Sequence, residues 1–384
     1  MKWMTRSQVI GVALAAALWG AGCDGEPAAG GDDTSAADTG GADTWTGADT
    51  AGDAADTSPS EEDGVISVGA SACCLSLWGE TVVWAEDGDI YGYSPATGER
   101  EALVVDDATQ KDPVLSGSLL VWADDREGDF DLWARELPDG EAYKLIGGAG
   151  DQDEPTLDGT WLAWIGRDAA PHEAAQTEVW LMDVTAPSSA RQLTHDEVEQ
   201  ARPHVSGGRV VWGDYRASDT GIYQELNDPA LNNADIYGWD IGAEEEFAVT
   251  TDPSKQLRPA IDGDRVVWLD WRGINPEPKY SEFQVFTKRL GEVEEHRVAW
   301  SSWQRPDLWQ RPAIADGVIA WIAEPGEGSL SETAVYAVSV EGGEPWLVTN
   351  SLGILDAVAL GNDTAAWLGA GKLGLRPIAA PVQR

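Results

Sequence analysis

Gln256-Leu257-Arg258-Pro259-Ala260-Ile261-Asp262-Gly263-Asp264-Arg265-Val266-Val267-Trp268-Leu269-Asp270-Trp271-Arg272 contains two short apolar runs joined by a turn at Gly263. The second run is β-branched and closes on a tryptophan. Such runs, bounded by turn residues, read as two strands of a hairpin. The phrase returns around Trp84, Trp122, Trp164, Trp212, Trp321 and Trp367, at spacings of roughly 38 to 56 residues. Self-similarity at that period signals propeller blades and not helical repeats.

Aligned on the seven tryptophans, the units share more. Seven positions earlier stands an apolar residue: Leu77, Leu115, Leu157, Val205, Ile261, Ile314 or Leu360. Nine earlier stands Pro113, Pro155, Pro203, Pro259 or Pro312, and five earlier a turn residue, glycine in most units and Asp316 or Asn362 in two. A third apolar run follows each tryptophan, as in Asp131-Leu132-Trp133 and Asp235-Ile236-Tyr237, and a fourth closes most units, as in Phe247-Ala248-Val249. With no amphipathic helix pattern, the chain is predicted to be all-β: a seven-bladed β-propeller of four-stranded antiparallel blades over residues 64–384. The last unit lacks a fourth strand before Arg384, and Val65-Ile66-Ser67-Val68 has strand composition. That segment is expected to supply the missing outer strand of blade seven, which joins the chain ends and removes an exposed edge.

The first 63 residues read differently. Lys2 and Arg6 precede the apolar run Val9–Trp19, which is too short to span a bilayer, and small residues lead to Cys23. Residues 1–22 are therefore expected to be a secretory signal peptide. Gly20-Ala21-Gly22-Cys23 resembles a bacterial lipoprotein box, although Gly20 stands where such boxes prefer leucine. The resemblance implies acylation of Cys23 and attachment to a membrane only through that anchor. Residues 23–63, rich in Ala, Gly, Asp and Thr and without Lys or Arg, cannot bury enough apolar surface to offset chain entropy and are expected to form a disordered tether. The net charge of −42 leaves about −32 on the head once tether and signal are set aside. A head so acidic is not expected to bind nucleic acid. Adjacent Cys73 and Cys74 admit a vicinal disulfide or two thiols.

The pattern Gln-x-Arg-Pro-x-Ile-x-Gly-x-Arg-Val-Val-Trp-x-Asp-x-Arg at Gln256–Arg272 resembles the repeats of TolB-like propellers. Those repeats also occur in the propeller domains of prolyl-oligopeptidase relatives and in envelope proteins of varied roles. The resemblance covers about residues 64–384 and implies fold more than function. No peptidase domain follows, so the protease form of the family is not expected. Some such propellers resemble acidic-sugar lyases, which require a metal or a base near the sugar.

Candidate chemistry is sparse. There is no Gly-x-Ser-x-Gly elbow, and His172, His195, His204 and His296 lack zinc-ligand spacing. His204 is the bulkiest residue at its repeat position and is expected to be packed rather than to line a channel. The acidic run Asp124–Asp131 offers at most a weak calcium site and is expected to be solvated turn; no other cofactor is expected. The recurrent Trp-x-Asp-x-Arg pairs Asp124 with Arg126, Asp214 with Arg216 and Asp270 with Arg272, and its recurrence suggests ion pairs pinning neighbouring blades. Ten residues before each tryptophan stand Cys74, Asp112, Glu154, Arg202, Arg258, Arg311 and Ala357, which should ring one mouth of the channel. Three consecutive blades present arginine there. Loops between second and third strands open on the same face, are long in units three to six, and carry Tyr215, Tyr223, Trp271 and Tyr280; Trp303, Arg305 and Trp309 lie nearby.

Arginine forks recognise carboxylate and phosphate, and aromatic faces stack on sugars or cations. The candidate ligand-binding residues are therefore Arg202, Arg258, Arg311, Arg216, Arg272, Tyr215, Trp271 and Trp309. The expected protein is a non-catalytic envelope lipoprotein, periplasmic or surface-exposed, whose monomeric head binds a protein or glycan. The competing expectation is an enzyme acting on acidic polysaccharide.

Overall fold

The computed structural model describes residues 64–167, 177–218, 233–272, 283–300, 310–323, 332–350, 353–361 and 363–378. The expected signal peptide, Cys23 and tether lie outside the described residues, as do His172, Tyr223, Tyr280, Trp303, Arg305 and Trp309. Seven sheets of four antiparallel strands make up the described fold. Blade one comprises Cys73–Trp78, Thr81–Glu86, Asp89–Ser94 and Glu99–Val104. Blade four comprises Gln200–Ser206, Arg209–Asp214, Asp235–Asp240 and Glu245–Ala248. Blades two, three, five and six repeat this order, starting at Gln110, Gln152, Gln256 and Ala313.

Blade seven is built from both ends of the head. Leu355–Leu360, Thr364–Gly369 and Lys372–Pro377 come from the C-terminal side, and Val65–Ser67 completes the sheet. Val65, Ile66 and Ser67 pair with Gly374, Leu373 and Lys372. The predicted closure is therefore the one observed, and it pairs an edge strand that would otherwise be exposed.

The repeated tryptophan explains why seven blades cohere. Each lies in the interface with the preceding blade. Trp212 packs among Ala163, Ile165, Val179 and Leu181 of blade three, and Trp268 among Val211, Ile236 and Val249 of blade four. Trp84 packs against Ala366, Leu368 and Leu373 of blade seven, which seals the circle. All seven rings are buried. Removing a buried tryptophan side chain costs about 3–5 kcal/mol, so these plugs dominate blade cohesion. Because the second strand of each blade has neighbours on both faces, it reads as a continuous apolar run, as in Val266-Val267-Trp268, and not as an alternating one.

The inner strands carry the feature that positions the site. In five blades the pairing register slips, between Cys73 and Ser76, Lys111 and Val114, Asp153 and Thr156, Ala201 and His204, and Leu257 and Ala260. The residue at each slip takes the left-handed backbone: Cys74, Asp112, Glu154, Arg202 and Arg258, with φ of 59°, 51°, 50°, 57° and 55°. Four of them precede proline, where sterics oppose this conformation further. Blade seven slips between Leu355 and Ala357, so Asp356 is its extra residue.

Candidate functional site

Two sets of residues answer to the sequence expectations, and they do different work. The Trp-x-Asp-x-Arg unit closes on itself. In blade five, Trp268 Nε1 donates to Asp270 Oδ2 at 2.9 Å, and Arg272 grips the same carboxylate through Nε at 2.9 Å and Nη2 at 2.7 Å. The guanidinium lies 4.4 Å from the Phe286 ring and pairs with Glu295 at 2.6 Å. Blade four repeats this with Trp212, Asp214, Arg216, Tyr237 and Glu246. Blade two uses Trp122, Asp124, Arg126 and Trp133. Blade one builds the same stack from Trp84, Glu86, Tyr91 and an arginine of its outermost strand, Arg100.

These contacts correct the expected role of the motif. Most of them tie strands within one blade rather than pinning neighbouring blades. Their reach outward is to the segment arriving from the previous blade, where Asp106 and Asp196 lie 2.9 and 3.8 Å from Arg126 and Arg216. Arg216 and Arg272 are thus engaged by carboxylates along the guanidinium edge and by a ring on one face. Tyr215 is 3% exposed and packs with Ala234 and Leu257, so it is a core residue. Trp271 is partly buried against Phe283, with Lys255 Nζ 5.5 Å from its ring. The Asp124–Asp131 run is a turn exposed over residues 126–129, as expected, and its carboxylates also hold neighbouring segments: Asp125 accepts the Thr109 N–H, Asp129 the Gly150 N–H, and Asp131 pairs with Lys144 at 2.7 Å. Cys74 Sγ and Cys73 Sγ stand 3.1 Å apart, beyond the length of a vicinal disulfide bond.

The second set lines the central channel. Cys74, Asp112, Glu154, Arg202, Arg258 and Arg311 all face a cavity of about 580 Å³ that runs along the inner strands. Blade seven supplies Asp356. Ala357, which the tryptophan spacing placed in the ring, lines the cavity too, pairs with Leu368 in the ladder and packs toward the blade-one interface. The ring therefore has an acidic arc and a basic arc. Glu154 and Arg202 meet where the arcs touch: Arg202 Nε lies 3.5 Å from Glu154 Oε1, and the Arg202 backbone N–H donates to Oε2 at 2.8 Å. Burial pushes the Glu154 carboxyl up, but Arg202 and Arg167 outweigh it and hold the group below its ordinary range.

Arg311 donates to the Pro203 carbonyl at 3.2 Å, across the channel wall. Arg258 makes no hydrogen bond or ion pair among the described residues. Burial, then repulsion from Arg202 and Arg311, push the guanidinium of Arg258 down to about 9. Burial and Arg202 push Arg311 down to about 10. Both remain charged at neutral pH, so this wall holds positive charge that an anion would stabilise. Lys255, next to the start of the same inner strand, is pushed down to about 7 by burial and by Arg258.

One layer deeper, eight positions before each tryptophan, stand Ser76, Val114, Thr156, His204, Ala260, Ala313 and Ala359, again all on the cavity. Polar members of this layer lock consecutive blades. Ser76 Oγ accepts the Leu115 N–H, Thr156 Oγ1 the Val205 N–H, and His204 Nδ1 the Ile261 N–H at 3.3 Å. His204 is thus both packed and channel-lining, where only the first was expected. Burial and Arg311 depress its pKa to about 3, so the imidazole is neutral. With Nδ1 accepting, the ring proton sits on Nε2 and makes that atom a donor. Neither its role nor that of Asp356 was legible without blade-to-blade contacts.

No known family description matches the chain, and no curated protein matches it. Among solved structures the fold is similar to TolB from Acinetobacter baumannii, with 12% identity and a TM-score of 0.48 over 77% of this chain and 65% of that one. It is similar to a puromycin hydrolase, with 14% identity and a TM-score of 0.58 over 81% of this chain and 54% of that one. It is also similar to an oligogalacturonate lyase from Vibrio parahaemolyticus, with 9% identity and a TM-score of 0.58 over 84% of this chain and 96% of that one. At such identities the likeness concerns the fold. The seven-bladed propeller implied by the TolB-like repeat is the fold of this chain. The expectation of a non-catalytic head does not stand: two of these propeller-bearing proteins are enzymes, and the fold gives no ground for setting catalysis aside.

Proposed function

We propose that this chain is a cell-envelope protein whose propeller head binds a carboxylate-bearing glycan or protein segment at the arginine-lined mouth of its central channel. The observation that carries the reading is Arg258. It is a half-buried cation flanked by two further cations, Arg202 and Arg311, on a cavity of ligand size. Arginine holds a carboxylate in a bidentate fork, and a wall already strained by like charge gains from receiving one. Placement in the envelope rests on the leader-like residues 1–22 and on Cys23 as the anchor.

A second reading, turnover of an acidic polysaccharide, is supported by one observation. The neutral His204 imidazole stands beside the arginine wall, in a fold shared along most of its length with an oligogalacturonate lyase. Acid-sugar polymers and neutral polymers are offered to the full chain on an array, with and without calcium, and uronate polymers are assayed for unsaturated products. Binding of acidic but not neutral polymers, lost in Arg258→Gln with the fold retained, supports the binding reading. Product formation lost in His204→Ser supports the second. A blank array, with no carboxylate-bearing peptide bound either, overturns both.

A further inference from the structure

In blades two, four and five the motif aspartate stands, across the ladder, opposite the first residue of the third strand: Asp124 opposite Asp131, Asp214 opposite Asp235, and Asp270 opposite Gln284. Blade two satisfies Asp131 from its fourth strand. Lys144, opposite Trp133 in the ladder, brings its ammonium to 2.7 Å from Asp131 Oδ2, and the Gly148 N–H donates to Oδ1 at 3.3 Å. Blade five does the same for Gln284, whose Oε1 accepts from Arg297, opposite Phe286. Blade one has Ala102 at the lysine place, yet its Asp89 still receives the Asp106 N–H. Blade four supplies neither donor. Ala248 stands opposite Tyr237, and Asp252 stands where blade two has Gly148. Asp235 is 6% exposed, its Oδ1 is buried without a donor, and it makes no hydrogen bond or ion pair among the described residues. Two residues earlier, Asn233 Oδ1 is a second buried oxygen without a donor. Arg216 does not fill the gap, because Asp214 and Glu246 engage its guanidinium. Burial, then Asp214 and Asp252, push the Asp235 carboxyl up to about 6, so at neutral pH it is mostly a buried anion beside two others.

We propose that blade four binds a metal cation through oxygen at Asp235, in the place that the Lys144 ammonium fills in blade two. The site is separate from the arginine-lined channel and does not depend on what that channel binds. A buried carboxylate is costly unless it is paired, and the repeat itself shows that this position takes a positive partner. The groups that accompany Asp235, the Asn233 amide and the Asp252 carboxylate, offer oxygen alone, which suits a hard cation of the calcium or magnesium kind and not zinc or copper. Among the described residues no three His, Cys, Asp or Glu side chains form a metal cage. The ion therefore keeps water ligands and binds weakly, with a dissociation constant of about 10⁻⁴–10⁻³ M. The net charge of −42 raises the local concentration of such ions.

The test compares melting temperatures and calorimetric titrations of the full chain, stripped of metal with a chelator, in calcium, magnesium and methylammonium chlorides at constant ionic strength. Calcium or magnesium at about 10 mM should raise the melting temperature of the parent by about 2–5 °C more than that of Asp235→Asn, which keeps the side-chain shape. Ala248→Lys places the blade-two ammonium in blade four, at an exposed strand position. It should melt higher than the parent without metal and lose the same part of the metal response. Asp131→Asn, in blade two, should keep that response. Equal metal responses in the parent, Asp235→Asn and Ala248→Lys would assign the effect to general surface charge and overturn the proposal. Methylammonium as effective as the metal ions would make the seat one for an amine, and would overturn it too.

Discussion

His204 Nδ1 accepts the backbone N–H of Ile261 across the boundary between blades four and five, at 3.3 Å. The contact does for these two blades what Ser76 does for Leu115 and Thr156 for Val205. Replacing His204 by serine should therefore keep the inter-blade acceptor, and replacing it by alanine should leave the Ile261 N–H without one. His204→Ala is expected to be less stable than His204→Ser by about 1–3 kcal/mol in urea denaturation. Equal stabilities would show that the hydrogen bond contributes nothing.

The same imidazole gives a pH signature. Its folded pKa, about 3, lies below the ordinary value of 6.5, so the unfolded chain binds the proton more readily. Stability is then full above pH 6.5 and declines as pH falls toward 3. His204→Ser should show a shallower decline over that window. A parallel loss in both proteins would assign the acid sensitivity to other groups.

Closure of the ring depends on three residues far from their partners in sequence. Deleting Val65–Ser67 removes the outer strand of blade seven and the Ile66 contact with the blade-one interface. The melting temperature should fall by about 5–10 °C, on the scale of losing one packed aliphatic side chain and an edge ladder. On the same ladder, a Cβ added at Gly374 would stand 2.2 Å from the Trp367 ring. Gly374→Ala should cost about 1–3 kcal/mol through overpacking. Unchanged melting in both variants would refute the closure.

Asp270 is fully buried between Trp268 and Arg272. Asp270→Leu leaves a guanidinium and an indole N–H without their acceptor and should cost about 3–5 kcal/mol. Arg272→Met should be destabilising for the converse reason. Because Arg272 is turned toward its own blade, that variant should bind any channel ligand within roughly twofold of the parent, as distant sites do. A specific loss of binding without loss of stability would return Arg272 to the ligand site.

Residues placed for binding are poorly placed for stability. Arg258 holds a left-handed backbone before proline, beside two like charges. Arg258→Gly should raise stability by about 1 kcal/mol while abolishing carboxylate binding. Asp356 has its pKa raised by burial to about 6, above the unfolded value. It stabilises the fold only when protonated, and that contribution disappears as pH rises through 6. Asp356→Asn should be the more stable protein at pH 7, with the difference vanishing below pH 4. Reduced stability in both variants would contradict the trade-off.

Most of the fold could be read from the chain, because the repeat is local. A β-branched run, a glycine turn and a tryptophan at fixed offsets specify a hairpin, and seven of them specify a ring with seven interfaces to plug. Even the closure strand was visible, since an unmatched outer strand in unit seven and a spare strand before unit one fit each other. Counting back from the tryptophan also placed Arg202, Arg258 and Arg311 together, since equivalent positions of a propeller converge on its axis.

Tertiary structure decided which side chains are available. Arg216 and Arg272 resemble Arg202 and Arg258 in sequence, yet the carboxylate two residues earlier and a ring on the adjacent strand absorb them. Tyr215 has the composition of a binding loop and lies in the core. The bulge of blade seven inserts Asp356 ahead of Ala357, so a carboxylate reaches the channel where the tryptophan spacing pointed to an alanine alone. Offsets along one strand cannot reveal this, because side-chain direction alternates with every residue and a single inserted residue reverses it. The proton position on His204 was set from further still, by a backbone donor of the next blade.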